Sequence, residues 1–123
     1  MNMTTTTRQM GSVTIVDISG RIIRGEESSS LHDLVSDQLN KGHNWILLNL
    51  AEVNRIDTAG WAHLIASLTS VRKAHGELKL LNPIKEVRSV MQLTKLLTVF
   101  DVRDEEASAV KSFGGLVDAT AWL

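Results

Sequence analysis

Trp45 to Leu50 reads Trp-Ile-Leu-Leu-Asn-Leu, apolar at every position but Asn49. A strand with one face in water alternates apolar and polar residues, so a run apolar on both sides belongs at the centre of a sheet covered on its two faces. The rest of the chain must therefore supply neighbouring strands and helices to cover them. The flanking sequence meets that requirement. Val13 to Ile18 is rich in β-branched residues and ends at Ser19-Gly20, which predicts a strand. It pairs back across Gly11 and Ser12 on the Thr-rich stretch Thr4 to Thr7, which is an edge strand or a frayed tail.

Helical spacing follows each strand. Leu31, Leu34, Val35 and Leu39 share one face after Ser28, Ser29 and Ser30, with Ser30 and Asp33 fitting a capping box and Lys41-Gly42 closing the helix. Trp61, Leu64, Ile65, Leu68 and Val71 form a second apolar stripe that ends at Gly76, while His63, Ser67, Ser70 and Lys73 mostly fall elsewhere. Leu78 to Leu81 is a short strand. Asn82-Pro83 then offers a cap and a first helical residue ahead of Val87, Val90 and Met91. Thr98 to Phe100 reads as a last short strand, and Asp104-Glu105-Glu106 sets negative charge at the start of a final helix through Ala109 and Val110. Gly114-Gly115 ends the regular part, leaving a tail from Leu116 to Leu123 that carries Trp122.

The expected architecture is α/β: an opening β-hairpin, then alternating helices and strands, giving a mixed sheet of about four to five strands with helices packed on it. At 123 residues the chain suits a single domain spanning 1–123, with a core at about 8–112 and a tail at 113–123. A net charge of −1 without a dense basic block gives a phosphate backbone little to hold, so direct nucleic-acid binding is not expected. Zero Cys removes disulfides, thiolate metal sites and a cysteine nucleophile. No apolar run reaches a membrane span and the first ten residues lack the apolar core of a signal peptide, so a cytoplasmic location without membrane insertion is expected.

In an open sheet with parallel strands, sites gather beyond the carboxyl ends of the strands. The segment Ala51 to Gly60 reads as that loop, bringing Asp57 and Thr58 to the start of the helix that begins near Ala59. For an arbitrary Asp-Thr pair, a helix cap explains the spacing. A receiver-type phosphoacceptor domain would need two acidic residues after its first strand to hold Mg²⁺ and a lysine after its last. Only Asp17 is near, and Asp101-Val102-Arg103 stands in the lysine's place. The four His at 32, 43, 63 and 75 form no metal or catalytic spacing, and neither a nucleophile elbow nor a phosphate loop is present. No enzymatic activity, metal or cofactor is expected.

The stretch Ile46-Leu47-Leu48-Asn49-Leu50, then Val53 and Ile56, then Asp57-Thr58-Ala59-Gly60 resembles the signature of STAS domains, the fold of bacterial anti-sigma factor antagonists. Gly20-Arg21-Ile22 is similar to the family's Gly-Arg-Leu element, and the element order agrees over roughly residues 8 to 112. The resemblance implies phosphorylation of the residue after the motif Asp, here Thr58, by a partner that is both an anti-sigma factor and a Ser/Thr kinase of the GHKL type, with a phosphatase reversing it. The unphosphorylated antagonist binds that kinase and frees a sigma factor, so transcription is regulated. Asp57 would place the hydroxyl. Ala59, Gly60 and the exposed face of the following helix, including His63 and Ser67, would form the docking surface. Asn49 stands where an acidic residue is common, and Trp61 where a smaller aliphatic residue is usual. Trp61 reads either as an interface anchor or as the start of the buried stripe. The alternative class is a non-catalytic STAS adaptor or scaffold in a lipid-transport or stress-signalling complex, with Asp57-Thr58 only a cap.

Overall fold

Alternating β-branched residues make the second strand a two-faced wall. The computed structural model describes residues 3–114, without the side chains of 26–28. β1 (Met3–Met10) and β2 (Val13–Ile22) pair antiparallel through a turn in which Gly11 takes φ 62. The Thr-rich stretch is therefore an edge strand and not a frayed tail. Val13 and Ile15 pack on one face of the sheet, Val16 and Ile18 on the other.

α1 (Glu26–Asn40) leads to β3 (Trp45–Ile56), and α2 (Thr58–Lys73) to β4 (Glu77–Leu81). α3 (Lys85–Leu93), a 3₁₀ turn at Leu96–Thr98, β5 (Asp101–Arg103) and α4 (Glu106–Ser112) follow. The sheet runs β1-β2-β3-β4-β5, with β2 to β5 parallel, so β3 is central as its apolar run requires. On one side Leu31 and Val35 of α1, Leu64 and Leu68 of α2, and Val87 and Met91 of α3 bury Ile46, Leu48 and Leu50. On the other, Ala109 and the following Phe113 cover Val13, Ile15, Leu47 and Leu81. Lys79 of β4 is buried there, with its ammonium donating to the Ser112 carbonyl at 2.9 Å and lying 4.8 Å from the Phe113 ring.

Several expected boundaries move. α1 starts at Glu26 with Gly25 before it and no side-chain cap, so the Ser30–Asp33 pair lies inside the helix. Asn82 takes a left-handed φ of 53 and Pro83 precedes α3 by two residues; Ile84 stands at the N-cap without a side-chain bond. The last strand is Asp101–Arg103, and Phe100 is buried just before it. Glu105 caps α4 by accepting from the Ala107 and Ser108 N–H groups, as the acidic start predicts. Gly115 and the tail with Trp122 lie outside the described residues.

The largest correction concerns Ala51 to Ile56, which is strand and not loop. Between Asp17/Asn49 and Ser19/Glu52, and again between Gly20/Val53 and Arg21/Arg55, β3 carries one residue more than β2. Each insertion is a bulge, so inward positions change parity: Leu50 and Val53 both face the same core. The bulges carry β3 onward, so that one residue, Asp57, separates it from α2.

Candidate functional site

Asp57 has extended backbone angles and stands at the N-cap of α2. Its Oδ1 accepts from the Gly60 N–H at 2.8 Å, the cap that an Asp before a helix predicts. Its Oδ2 accepts from the Arg24 N–H at 3.0 Å, in the β2–α1 connection 33 residues away. The Asp57 N–H in turn donates to the Ile22 carbonyl at 3.2 Å. One carboxylate thus joins the end of β2 to the start of α2. The Arg24 and Gly60 N–H groups, with a further contribution from the charge of Arg55, hold its pKa below the ordinary aspartate value.

Gly60 explains how the two segments come so close. A Cβ at this position would lie 2.0 Å from the Ile22 carbonyl oxygen and 3.0 Å from the Ile56 side chain. Any larger residue would push α2 off the sheet and pull Asp57 away from Arg24. The glycine of the motif is a packing requirement at the site.

Thr58 is the first residue of α2 and is exposed. Its hydroxyl has no hydrogen-bond partner among the described residues, although Asp57 beside it has both oxygens occupied. Arg24, Asp57, Thr58, Ala59 and Ala62 line an open hollow of about 400 Å³. Thr58, Ala62, Ile65 and Thr69 recur at i, i+4, i+7 and i+11, and all four are exposed. They form an uncharged stripe down α2, whose basic residues Arg72 and Lys73 lie in the last turn.

That stripe differs from the surface expected. Ile65 is 38% exposed and does not belong with the buried residues Trp61, Leu64, Leu68 and Val71. Ser67 is fully buried, its hydroxyl donating to the His63 carbonyl at 2.9 Å, so it is removed from the docking face. His63 is half-buried, roughly 140° round the helix from Thr58 at 100° per residue. Trp61 is buried, 7% exposed, with its ring 6.1 Å from that of Phe100, which assigns it to the core stripe and not to an exposed anchor. Its indole Nε1 has no acceptor among the described residues.

Asn49 is not brought to the site. It faces the α4 side, donating to Asp17 Oδ1 at 2.8 Å and accepting from the Ala51 N–H at 3.1 Å beside the first bulge. An ionised carboxylate could not donate to Asp17, which accounts for the amide here. Arg24, Ala62, Ile65 and Thr69 were not identified from sequence; Arg24 reaches Asp57 only through the long-range β2–β3 pairing.

Among the described residues, no three His, Asp or Glu side chains are gathered to hold a metal, and no helix is long and apolar enough to cross a membrane. A family model described as STAS domain matches residues 4–109. A candidate anti-sigma factor antagonist of Thermotoga neapolitana is 32% identical over 77 residues, 63% of this chain and 68% of that protein. The crystal structure of a candidate anti-sigma factor antagonist from Thermotoga maritima superposes with a TM-score of 0.77 at 26% identity, covering 88% of this chain and 92% of that one. The anti-sigma factor antagonist SpoIIAA in its unphosphorylated form gives a TM-score of 0.73 at 17% identity, covering 87% and 93%. Its phosphorylated form, from Bacillus, gives 0.69 at 16%, covering 88% and 97%. The SpoIIAA likeness is one of fold.

Proposed function

Because the chain belongs to the STAS domain family, we propose that it is a non-catalytic anti-sigma factor antagonist whose hold on an anti-sigma factor kinase is switched by phosphorylation of Thr58. The observation that carries this reading is the exposed Thr58 hydroxyl, without a hydrogen-bond partner among the described residues, at the head of an uncharged stripe. A partner kinase seated on Ala62, Ile65 and Thr69 would cover apolar surface and meet the hydroxyl at the same time. Transfer of a nucleoside triphosphate's γ-phosphoryl group to Thr58 Oγ1 breaks its bond to the departing nucleoside diphosphate, releases the hydroxyl proton and adds about −1.5 to −2 charges with three acceptor oxygens. The same surface then carries a charge that the covered interface would have to desolvate. The fold has no reason to change, since the hydroxyl bonds to no described residue.

The names of the relatives support the antagonist role, and a phosphorylated form of the fold neighbour SpoIIAA supports the switch. In this reading the chain works in the cytoplasm, where the sigma factor and kinase are, and a phosphatase resets Thr58.

The test is an affinity capture from lysate of the source organism with the wild-type chain and Thr58→Glu as baits. The expected result is a histidine-kinase-like ATPase retained by wild type and lost with Thr58→Glu, together with phosphate on the Thr58 peptide by mass spectrometry. Equal retention of a transporter or scaffold protein by both baits, with Thr58 unmodified, would assign the chain to the adaptor class instead.

A further inference from the structure

The Thr58 hydroxyl shares its hollow with one cation. Arg24 and Thr58 line the same open space, and the Arg24 backbone is tied to the neighbouring Asp57 by its N–H at 3.0 Å. That bond fixes where the Arg24 side chain starts, while the side chain itself is exposed and has no ion-pair partner among the described residues. A long basic side chain rooted beside the acceptor hydroxyl and paired with no described residue is the feature left unexplained by packing.

We propose that Arg24 is the internal counter-ion for a phosphoryl group on Thr58, pairing with it through the guanidinium fork in the modified chain. The need for such a counter-ion follows from Asp57. Its carboxylate is held in the ionised form, and both of its oxygens are committed to backbone N–H groups, so it cannot turn aside. A dianion placed on the next residue would face that fixed negative charge. An arginine lining the same hollow offsets the repulsion and matches the phosphate with two parallel N–H donors. Arg55, at the end of β3, acts on the same carboxylate through its charge, whereas Arg24 acts on it through its backbone N–H. Among the described residues, the charged groups lining the hollow are Asp57 from the β3–α2 junction and Arg24 from the β2–α1 connection, and the Arg55 charge acts on Asp57 from β3.

The consequence is regulatory. The phosphate is retained as a stable, internally balanced group until a phosphatase draws Arg24 away, and its charge is presented to the partner as a fixed pair.

This inference rests on the proposed modification of Thr58, and its test is arranged to stand apart from it. Phosphothreonine is installed at position 58 by genetic encoding, without any kinase, in the wild-type chain and in Arg24→Gln and Arg24→Lys. Phosphorus NMR then follows the second ionisation of the phosphate. The expected midpoint in the wild-type background lies lower than in Arg24→Gln by about 0.5 pH unit or more, with Arg24→Lys between them. Arg55→Gln should produce a smaller rise. Identical titrations for wild type and Arg24→Gln, with both chains folded by circular dichroism, would overturn the assignment. Should Thr58 carry no phosphate in cells, the switch fails while this titration difference persists; should the difference be missing while cellular Thr58 is phosphorylated, the switch stands and the role of Arg24 fails.

Discussion

Two aspartates, one on β2 and one just beyond the end of β3, hold the same kind of charge in opposite ways. Asp17 faces the α4 side, where Arg8 Nε donates to Oδ2 at 2.7 Å, Arg8 Nη2 to Oδ1 at 3.1 Å, and Asn49 to Oδ1 at 2.8 Å. Arg8 also grips Glu106 of α4 at 2.6 and 2.9 Å, so side chains tie the hairpin to the last helix. The Asp57 carboxylate accepts from backbone N–H groups, with no side-chain donor among the described residues. In the first cluster every polar group is consumed by its neighbours. In the second, main-chain donors take both carboxylate oxygens, and the adjacent Thr58 hydroxyl has no hydrogen-bond partner among the described residues. Saturated polar clusters build the fold, and the group left unsatisfied beside a rigid one is where chemistry can be added.

The sharpest way to break the second cluster is Gly60→Ala. A Cβ facing a backbone oxygen at 2.0 Å cannot be relieved by a side-chain rotation, so the chain should lose about 2–4 kcal/mol of stability in chemical denaturation, and partner binding should fall with it. The first cluster gives a smaller and purely structural effect. Arg8→Ala removes paired bonds to Asp17 and Glu106 that are each about one-third exposed, and solvent screening limits the loss to about 1 kcal/mol. Capture of the partner should not change.

Acid titration sharpens the comparison. Arg8 depresses the pKa of Asp17 and of Glu106, and the Arg24 and Gly60 N–H groups depress that of Asp57. A carboxylate with a folded pKa below its unfolded value contributes stability above about pH 4, and that contribution disappears as pH falls through the folded pKa. Wild-type stability should therefore drop between about pH 5 and pH 2, more steeply than that of Asp17→Asn or Asp57→Asn. Equal slopes for all three would show that these bonds carry no linkage. The smallest effect belongs to Thr58→Glu, which touches no bond and should alter stability by less than about 0.5 kcal/mol.

These regions were not equally legible in the sequence. The apolar run of β3 announced a central strand as far as Leu50, because up to that point the inward positions keep period two. The bulges then shift parity, and Ala51 to Ile56 ceased to read as strand although it continues the ladder. α1 hid its start because Gly25 caps it without a side chain, and β5 because its exposed Asp101 pairs with Arg103 and leaves little apolar signal. Asp57 and Thr58 were visible because an Asp-Thr pair ahead of a helix reads as a cap, and Gly60 through the resemblance to the STAS signature. Arg24 was not, since its meeting with Asp57 depends on strand pairing. Ile65 was misassigned because one helix can be apolar on a covered face and on an open one, and periodicity alone cannot tell which is covered; Ser67 was misassigned for the converse reason, a small hydroxyl satisfied by its own helix.

If charge at Thr58 controls partner binding while the fold stays unchanged, the two forms of the chain must differ in affinity alone. The most direct test is a calorimetric titration of the purified partner kinase, without nucleotide, into the unmodified chain and into the same chain carrying phosphothreonine at 58, with thermal unfolding of both chains measured alongside. The expected result is at least tenfold weaker binding of the phosphorylated chain, about 1.4 kcal/mol or more, at an unfolding temperature no lower than that of the unmodified one. Equal affinity for the two chains, or weaker binding that accompanies loss of the fold, would contradict a switch of this kind.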